Sequence, residues 1–178
     1  SKRASRAAGY SWGICEEVGK NVRLLEMFGL PGIKNLNDYF DKKKKQKFEN
    51  LKLINAENKF IKLQYCPIIS GTSLLDQIKS LGNLNEIKFE GIAYPLLFLP
   101  FVSRASEIIG KRLLLKLDSN EFLLNFNNNI FSNFINNEII IIANIVTIRL
   151  LENTDSFSEK EWNQLYKLSE ETFVEESD

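Results

Sequence analysis

The sequence predicts an α+β domain, a mostly antiparallel sheet with helices packed on one face or at its ends. Three observations carry this. The segment RLLLKLDSNEFLLNF, from Arg112, sets two apolar runs around the polar turn Asp118 to Glu121, which is a hairpin signal. Glu138 to Leu151 is long and rich in β-branched residues; its opening IIII predicts burial on both faces and a central place in the sheet. Hairpins outnumber strand-helix-strand alternation, and this favours antiparallel pairing with helices set to one side.

Taken in order, residues 1–28 show helical spacing, ended by Gly29-Leu30-Pro31-Gly32, where a glycine after the last periodic residue and a proline soon after form a stop. A second helix follows from Asn35 to Lys47, with Lys42 to Lys45 near its C-terminal end, where the macrodipole favours positive charge. From Leu51 to Cys66 the period becomes two, with Ile61, Leu63 and Tyr65 on one face, and predicts a hairpin turning near Asn58. Ile69 to Ser73 reads as a turn and helix start, with Ser70 or Thr72 as the cap, and the helix runs to Leu81. A strand at Ile87 to Ile92 leads through a proline-bounded apolar block, Pro95 to Phe101, into a helix ending at Ile109. An Asn-rich loop follows the hairpin. The last helix opens at Ser158 with Glu161 three residues on, a capping box, and Phe157 is placed to pack on Trp162. The terminal EESD is expected to fray. These elements make one domain over residues 1–178: an N-terminal helical segment over 1–47, a sheet-containing part over 48–155 and a C-terminal helix over 158–176.

Composition removes whole classes of chemistry. The 178 residues include no histidine, so Ser-His-Asp and Cys-His nucleophiles, His-ligated metals and an imidazole proton shuttle are excluded. Acid-base work falls to carboxylates, lysine, tyrosine or a thiol. Two cysteines, Cys15 and Cys66, lack a CxxC spacing and predict free thiols, a cytoplasmic protein and no metal site. Lys plus Arg equals Asp plus Glu at 23 each, so no net field points to nucleic acid or an anionic membrane as a partner. The apolar runs fall short of the roughly 20 residues of a membrane span. Composition leaves any cofactor unknown.

The functional expectation rests on Gly9 to Lys20, GYSWGICEEVGK. On a helical wheel Ala4, Ala8, Ser11, Cys15, Gly19 and Val22 form a stripe of small residues suited to close helix packing. Gly9 and Gly13 lie opposite it, where each costs a helix about 1 kcal/mol relative to alanine. Two readings stay open. The helix breaks at Gly9 to Ser11, with Ser11 capping a second helix; or a ligand approaches the backbone at Gly13, with Trp12 as an aromatic wall. Glu16 and Glu17 lie about 100° apart and cannot serve one reacting centre. Glu16 can pair with Lys20 at i,i+4, or group with Trp12 and Arg23 as a carboxylate held ionised by arginine. Ser70-Gly71-Thr72-Ser73 is a weak phosphate-loop signal, since GxxxxGK[ST] is absent.

These residues carry a resemblance. RAAGYSWGICEEVG, then VRLL and GLPG, resembles the opening of an uncharacterised bacterial family, a domain of unknown function, whose pattern is ARGAG-x-x-WG-x-AEE-x-G ending in GLPG. PLLFLPF at Pro95 to Phe101 is similar to an apolar block of the same family. The matching positions include Arg6, Gly9, Trp12, Gly13, Glu16, Glu17, Gly19, Arg23 and Gly29 to Gly32, and Cys15 stands where the family has alanine. No established activity comes with the resemblance. The expected function is binding of a small polar or anionic metabolite at Arg6, Trp12, Gly13, Glu16, Glu17 and Arg23, with carboxylate-assisted chemistry as an extension. The alternative is a non-enzymatic interaction protein that forms a homo- or hetero-oligomer through its N-terminal helices.

Overall fold

The computed structural model describes residues 1–125, 129–134, 138–152 and 157–172. Much of the Asn-rich loop and all of the terminal EESD lie outside these residues.

The chain opens with three helices, α1 (Lys2–Ala7), α2 (Trp12–Met27) and α3 (Gly32–Lys43). α2 stops where GLPG predicts: Gly29 takes a φ of 75°, and the Leu30 N–H returns to the Leu25 carbonyl at 2.9 Å. The Glu26 carboxylate then accepts the Ile33 N–H at 2.8 Å and joins the end of α2 to the start of α3. α3 begins earlier than Asn35 and ends at Lys43, with Lys42 and Lys43 in its last turn.

The hairpin expected over Leu51 to Cys66 does not form. Only a two-residue strand, β1 (Glu57–Asn58), appears, and Ile61 is 86% exposed. The physical cause is local. The Asn58 side chain accepts the Asn55 N–H and donates to the carbonyls of Asn55 and Lys88, offering the backbone partners that a ladder would otherwise supply. Tyr65 anchors the end of the loop through its hydroxyl, which donates to Lys59 O at 2.6 Å.

α4 (Pro67–Leu81) begins before the Ile69 to Ser73 stretch. Its cap is Cys66, whose Sγ accepts the Ile69 N–H, and Pro67 occupies the first turn, where its missing N–H costs nothing. β2 (Glu86–Ala93) runs into a 3-10 turn at Pro95–Leu97 and then α5 (Leu99–Ile109), which ends on Gly110. β3 (Arg112–Leu117) and β4 (Asn120–Leu124) form the expected hairpin, with Asp118 at positive φ in the turn. β5 (Ile130–Ser132) adds a short strand where a loop was expected. β6 (Ile142–Leu151) and α6 (Glu159–Glu171) complete the chain, and Ser158 and Glu161 form the capping box.

The sheet order is β1-β2-β6-β3-β4-β5, and every pairing except β1 with β2 is antiparallel. β6 lies centrally, antiparallel to both β2 and β3. Its burial on both faces is not realised: Ile141 precedes the strand and is half exposed, and Ile145 and Arg149 are also exposed. The reason is the one-sided cover. α5 lies against β3 and β4 and packs on α4, with α2 against both helices, so Leu113, Leu115, Phe122, Val146 and Ile148 face a core while Ile145 and Arg149 on the other side stay exposed.

Candidate functional site

The N-terminal motif resolves into a break. Gly9, at φ 95°, ends α1 in a conformation that side chains disfavour, and Arg6 Nη1 donates to the Tyr10 carbonyl at 2.9 Å across the turn. Ser11 becomes the N-cap of α2 but makes no side-chain cap bond. The N–H groups of Trp12, Gly13 and Ile14 therefore find no acceptor among the described residues. A Cβ at Gly13 would meet nothing within 4 Å, so the backbone is open to approach there. The Arg6 guanidinium lies 5.5 Å from the Trp12 ring centroid, and Trp12 is 60% exposed.

The carboxylates take different partners from those the spacing predicts. Lys20 pairs with Glu17 at 3.2 Å rather than with Glu16, and Glu17 also holds Arg104 of α5. Among the described residues Glu16 approaches only Lys2, at 3.9 Å, with both side chains largely in solvent. The cause is the placement of neighbours: α1 folds back along α2 so that Lys2 passes beside Gly19 and Glu16, while Glu17 turns toward α5. Arg23 lines a separate groove of about 460 Å³ with Ala4, Gly19, Val22, Ile33 and Phe40. Arg6 and Trp12 are thus brought together, Glu17 is engaged elsewhere, and neither Trp12 nor Glu16 lines the groove that Arg23 borders.

A second cluster, not anticipated from sequence, lies directly behind the break. Tyr39 Oη donates to Cys66 Sγ at 2.9 Å, and Tyr10 Oη lies 3.3 Å from both that sulfur and the Tyr39 hydroxyl. Lys43 extends over the Tyr10 ring, its Nζ 3.9 Å from the centroid, and donates to Ala8 O at 2.8 Å. Burial pushes both tyrosine hydroxyls well above their ordinary range, and the adjacent Cys66 adds to the effect. They remain protonated donors. Burial lowers the Lys43 ammonium. Deeper along α3, Tyr94 Oη donates to the Asp38 carboxylate; burial, then this bond, raises the Tyr94 hydroxyl.

These groups border a groove of about 360 Å³, whose lining includes Gly9, Tyr10, Ser11, Lys43, Lys47 and Cys66. An adjoining groove of about 690 Å³ between α1 and α3 shares Lys43 and adds Lys34, Asp38 and Asp41. None of Arg6, Trp12, Gly13, Glu16, Glu17 and Arg23 lines the first groove, although Ser11 and Ile14, next to Trp12 and Gly13 in the chain, do. One sequence signal could have found part of this cluster: Pro67 suits the first turn of a helix and so makes Cys66, rather than Ser70 or Thr72, the cap of α4. Nothing in the spacing brings Tyr10, Tyr39 and Cys66 to one point.

Among the described residues no helix is long and apolar enough to cross a membrane, and no group of three or more Cys, Asp and Glu residues is placed to hold a metal ion. No curated protein and no solved structure matches the chain. Residues 1–62, which contain the broken helix, GLPG, all of α3 and β1, match the model of a family described as Protein of unknown function (DUF3726), and it is to this family that the N-terminal third of the chain is similar.

Proposed function

We propose that the protein binds a small anionic metabolite in the groove behind the Gly9 break. The observation that carries the reading is the convergence of positive groups on one concavity. Lys43 and Lys47 line it beside Ser11 and Ile14 at the uncapped start of α2, where the N–H groups of Trp12, Gly13 and Ile14 have no acceptor among the described residues. The volume of about 360 Å³ suits a metabolite rather than a polymer. Arg6, set over Trp12, is tied to the groove wall through its bond to the Tyr10 carbonyl. Carboxylate-assisted chemistry would fall to Glu16, one turn beyond Trp12, because Glu17 is committed to Arg104 and Lys20. A cytoplasmic setting is supported by two free cysteines, Cys15 and Cys66.

Thermal-shift measurements with inorganic phosphate, a dicarboxylate and a nucleoside monophosphate test the reading. A probe at about 100-fold its Kd stabilises by about 2.7 kcal/mol, which raises Tm by roughly 5–10 °C in a chain of this size. Gly13→Leu is expected to leave folding intact, because the space is open, while its side chain leans toward the helix N-terminus and covers the free amides. Lys47→Glu reverses one charge of the lining. Both variants should abolish the shift; an unaltered shift in both, or none with any probe, removes the proposal.

A second reading, assembly through the N-terminal helices, is favoured by the apolar groove beside Arg23, where Ile33 is exposed, as is nearby Met27. Ile33→Glu would then disrupt a complex without affecting anion-induced stabilisation.

A further inference from the structure

The groove beside Arg23 is built where the three N-terminal helices meet. α1 lies along α2, and α3 returns from GLPG so closely that a Cβ at Gly32 would fall 2.9 Å from the Leu25 Cβ and the Val22 carbonyl oxygen. The concavity of about 460 Å³ left between them has Ala4 on the α1 side, Val22 on the α2 side and Leu36 and Phe40 on the α3 side. A space of this order holds a small molecule.

Two opposite charges share this apolar lining. Arg23 and Glu26 stand three residues apart on α2, where side chains are neighbours. They do not neutralise each other. Among the described residues Arg23 makes no ion pair or hydrogen bond, and Glu26 turns Oε1 to the Ile33 N–H at 2.8 Å while Oε2 has no partner. The bond to Ile33 holds the carboxylate in place at the junction of α2 and α3. A site for an anion and a site for a cation thus lie side by side over apolar walls.

We propose that this groove binds a free apolar α-amino acid, its carboxylate on Arg23, its ammonium on Oε2 of Glu26 and its side chain against Val22, Leu36 and Phe40. Charge complementarity selects the class. The guanidinium fork matches a carboxylate, and a carboxylate alone would leave a second anion facing Glu26. An amine alone would set its charge against Arg23. A residue at either end of a peptide lacks one of the two charges, so the free amino acid is the form that leaves neither Arg23 nor Glu26 unpaired. The apolar walls then favour a branched or aromatic side chain over none. This site shares no lining residue with the anion groove, so each can be tested without the other.

Isothermal titration of the full chain with leucine, glycine, N-acetyl-leucine, leucinamide and isocaproate provides the test. Leucine should bind, and each of the others at least roughly tenfold more weakly, the loss of one hydrogen-bonded charge or of a buried side chain. Arg23→Gln and Glu26→Gln should each weaken leucine by a similar factor, and glutamine at position 26 keeps an acceptor for the Ile33 N–H, so the helix junction survives. Ala4→Phe, at an exposed position of α1, should fill the groove and abolish leucine binding in a protein of unchanged circular dichroism. Lys47→Glu should leave leucine binding as it is. The proposal is overturned if leucine does not bind, if isocaproate or leucinamide binds as well as leucine, or if all three groove variants bind it normally. Loss of leucine binding in Lys47→Glu would move the amino acid to the anion groove and overturn it too. So would a dimer in sedimentation equilibrium that Ile33→Glu splits and leucine does not, because a second copy would then occupy the groove.

Discussion

Gly71→Ala is expected to destabilise the protein by about 3 kcal/mol. Gly71 lies inside α4, where alanine would ordinarily gain about 1 kcal/mol over glycine. Here the sign reverses, because the added Cβ would fall 2.8 Å from Cε2 of Phe101 and still closer to its Cγ and Cδ2. Phe101 is buried in α5, so its ring cannot swing into solvent, and α4 and α5 would have to separate along their contact. Urea unfolding should show the loss in the midpoint with an unchanged m value, and Tm should fall by roughly 6–12 °C. Phe101→Leu in the same chain should recover part of it, since the two residues share one contact and their effects cannot add. A Gly71→Ala protein as stable as wild type would show that the two helices do not meet at this glycine.

The second large effect is alkaline. Tyr10, Tyr39 and Tyr94 are buried and their hydroxyls lie far above the ordinary value of 10.0, with burial the leading cause in each. Above that value the unfolded chain releases these protons while the folded chain keeps them. Stability therefore falls as pH rises, by about 1.4 kcal/mol per pH unit for each tyrosine involved. Tyr10 and Tyr39 share the Cys66 sulfur, so their losses form one coupled step. With a total stability of about 5–15 kcal/mol, the chain should unfold cooperatively in alkali, with tyrosinate absorbance and loss of helix appearing together. Tyr39→Phe should cost about 1 kcal/mol near neutrality, the worth of its bond to sulfur, and should make the alkaline decline shallower. Gradual tyrosine titration in a protein that stays folded would contradict this arrangement.

Much of the architecture was legible because it is local. GLPG stops α2, the capping box opens α6, and two apolar runs around Asp118 make the β3–β4 hairpin; each depends on residues within a few positions of one another. The hairpin expected near Asn58 failed for an equally local reason that periodicity does not register, the competition of the Asn58 side chain for the backbone of Asn55. The candidate site was legible only in part. The break at Gly9 and the open backbone at Gly13 follow from glycine placed where a helix does not want it. The partners of the two glutamates did not follow, because wheel geometry describes one helix and Glu17 is taken by Arg104, far along the chain.

Sequence alone determined the class of chemistry open to this protein, since a chain without histidine must work with tyrosine, lysine, thiol and carboxylate, and it determined where most helices begin and end. Tertiary structure alone decided which of those groups meet. Tyr10, the α3 pair Tyr39 and Lys43, and Cys66 come from three parts of the chain and are joined only when α3 packs between the Gly9 break and the start of α4. Periodicity and capping act over one or two helical turns, whereas the environment that holds a proton on a tyrosine or presents a lysine to a groove is made by burial, and burial belongs to the assembled fold.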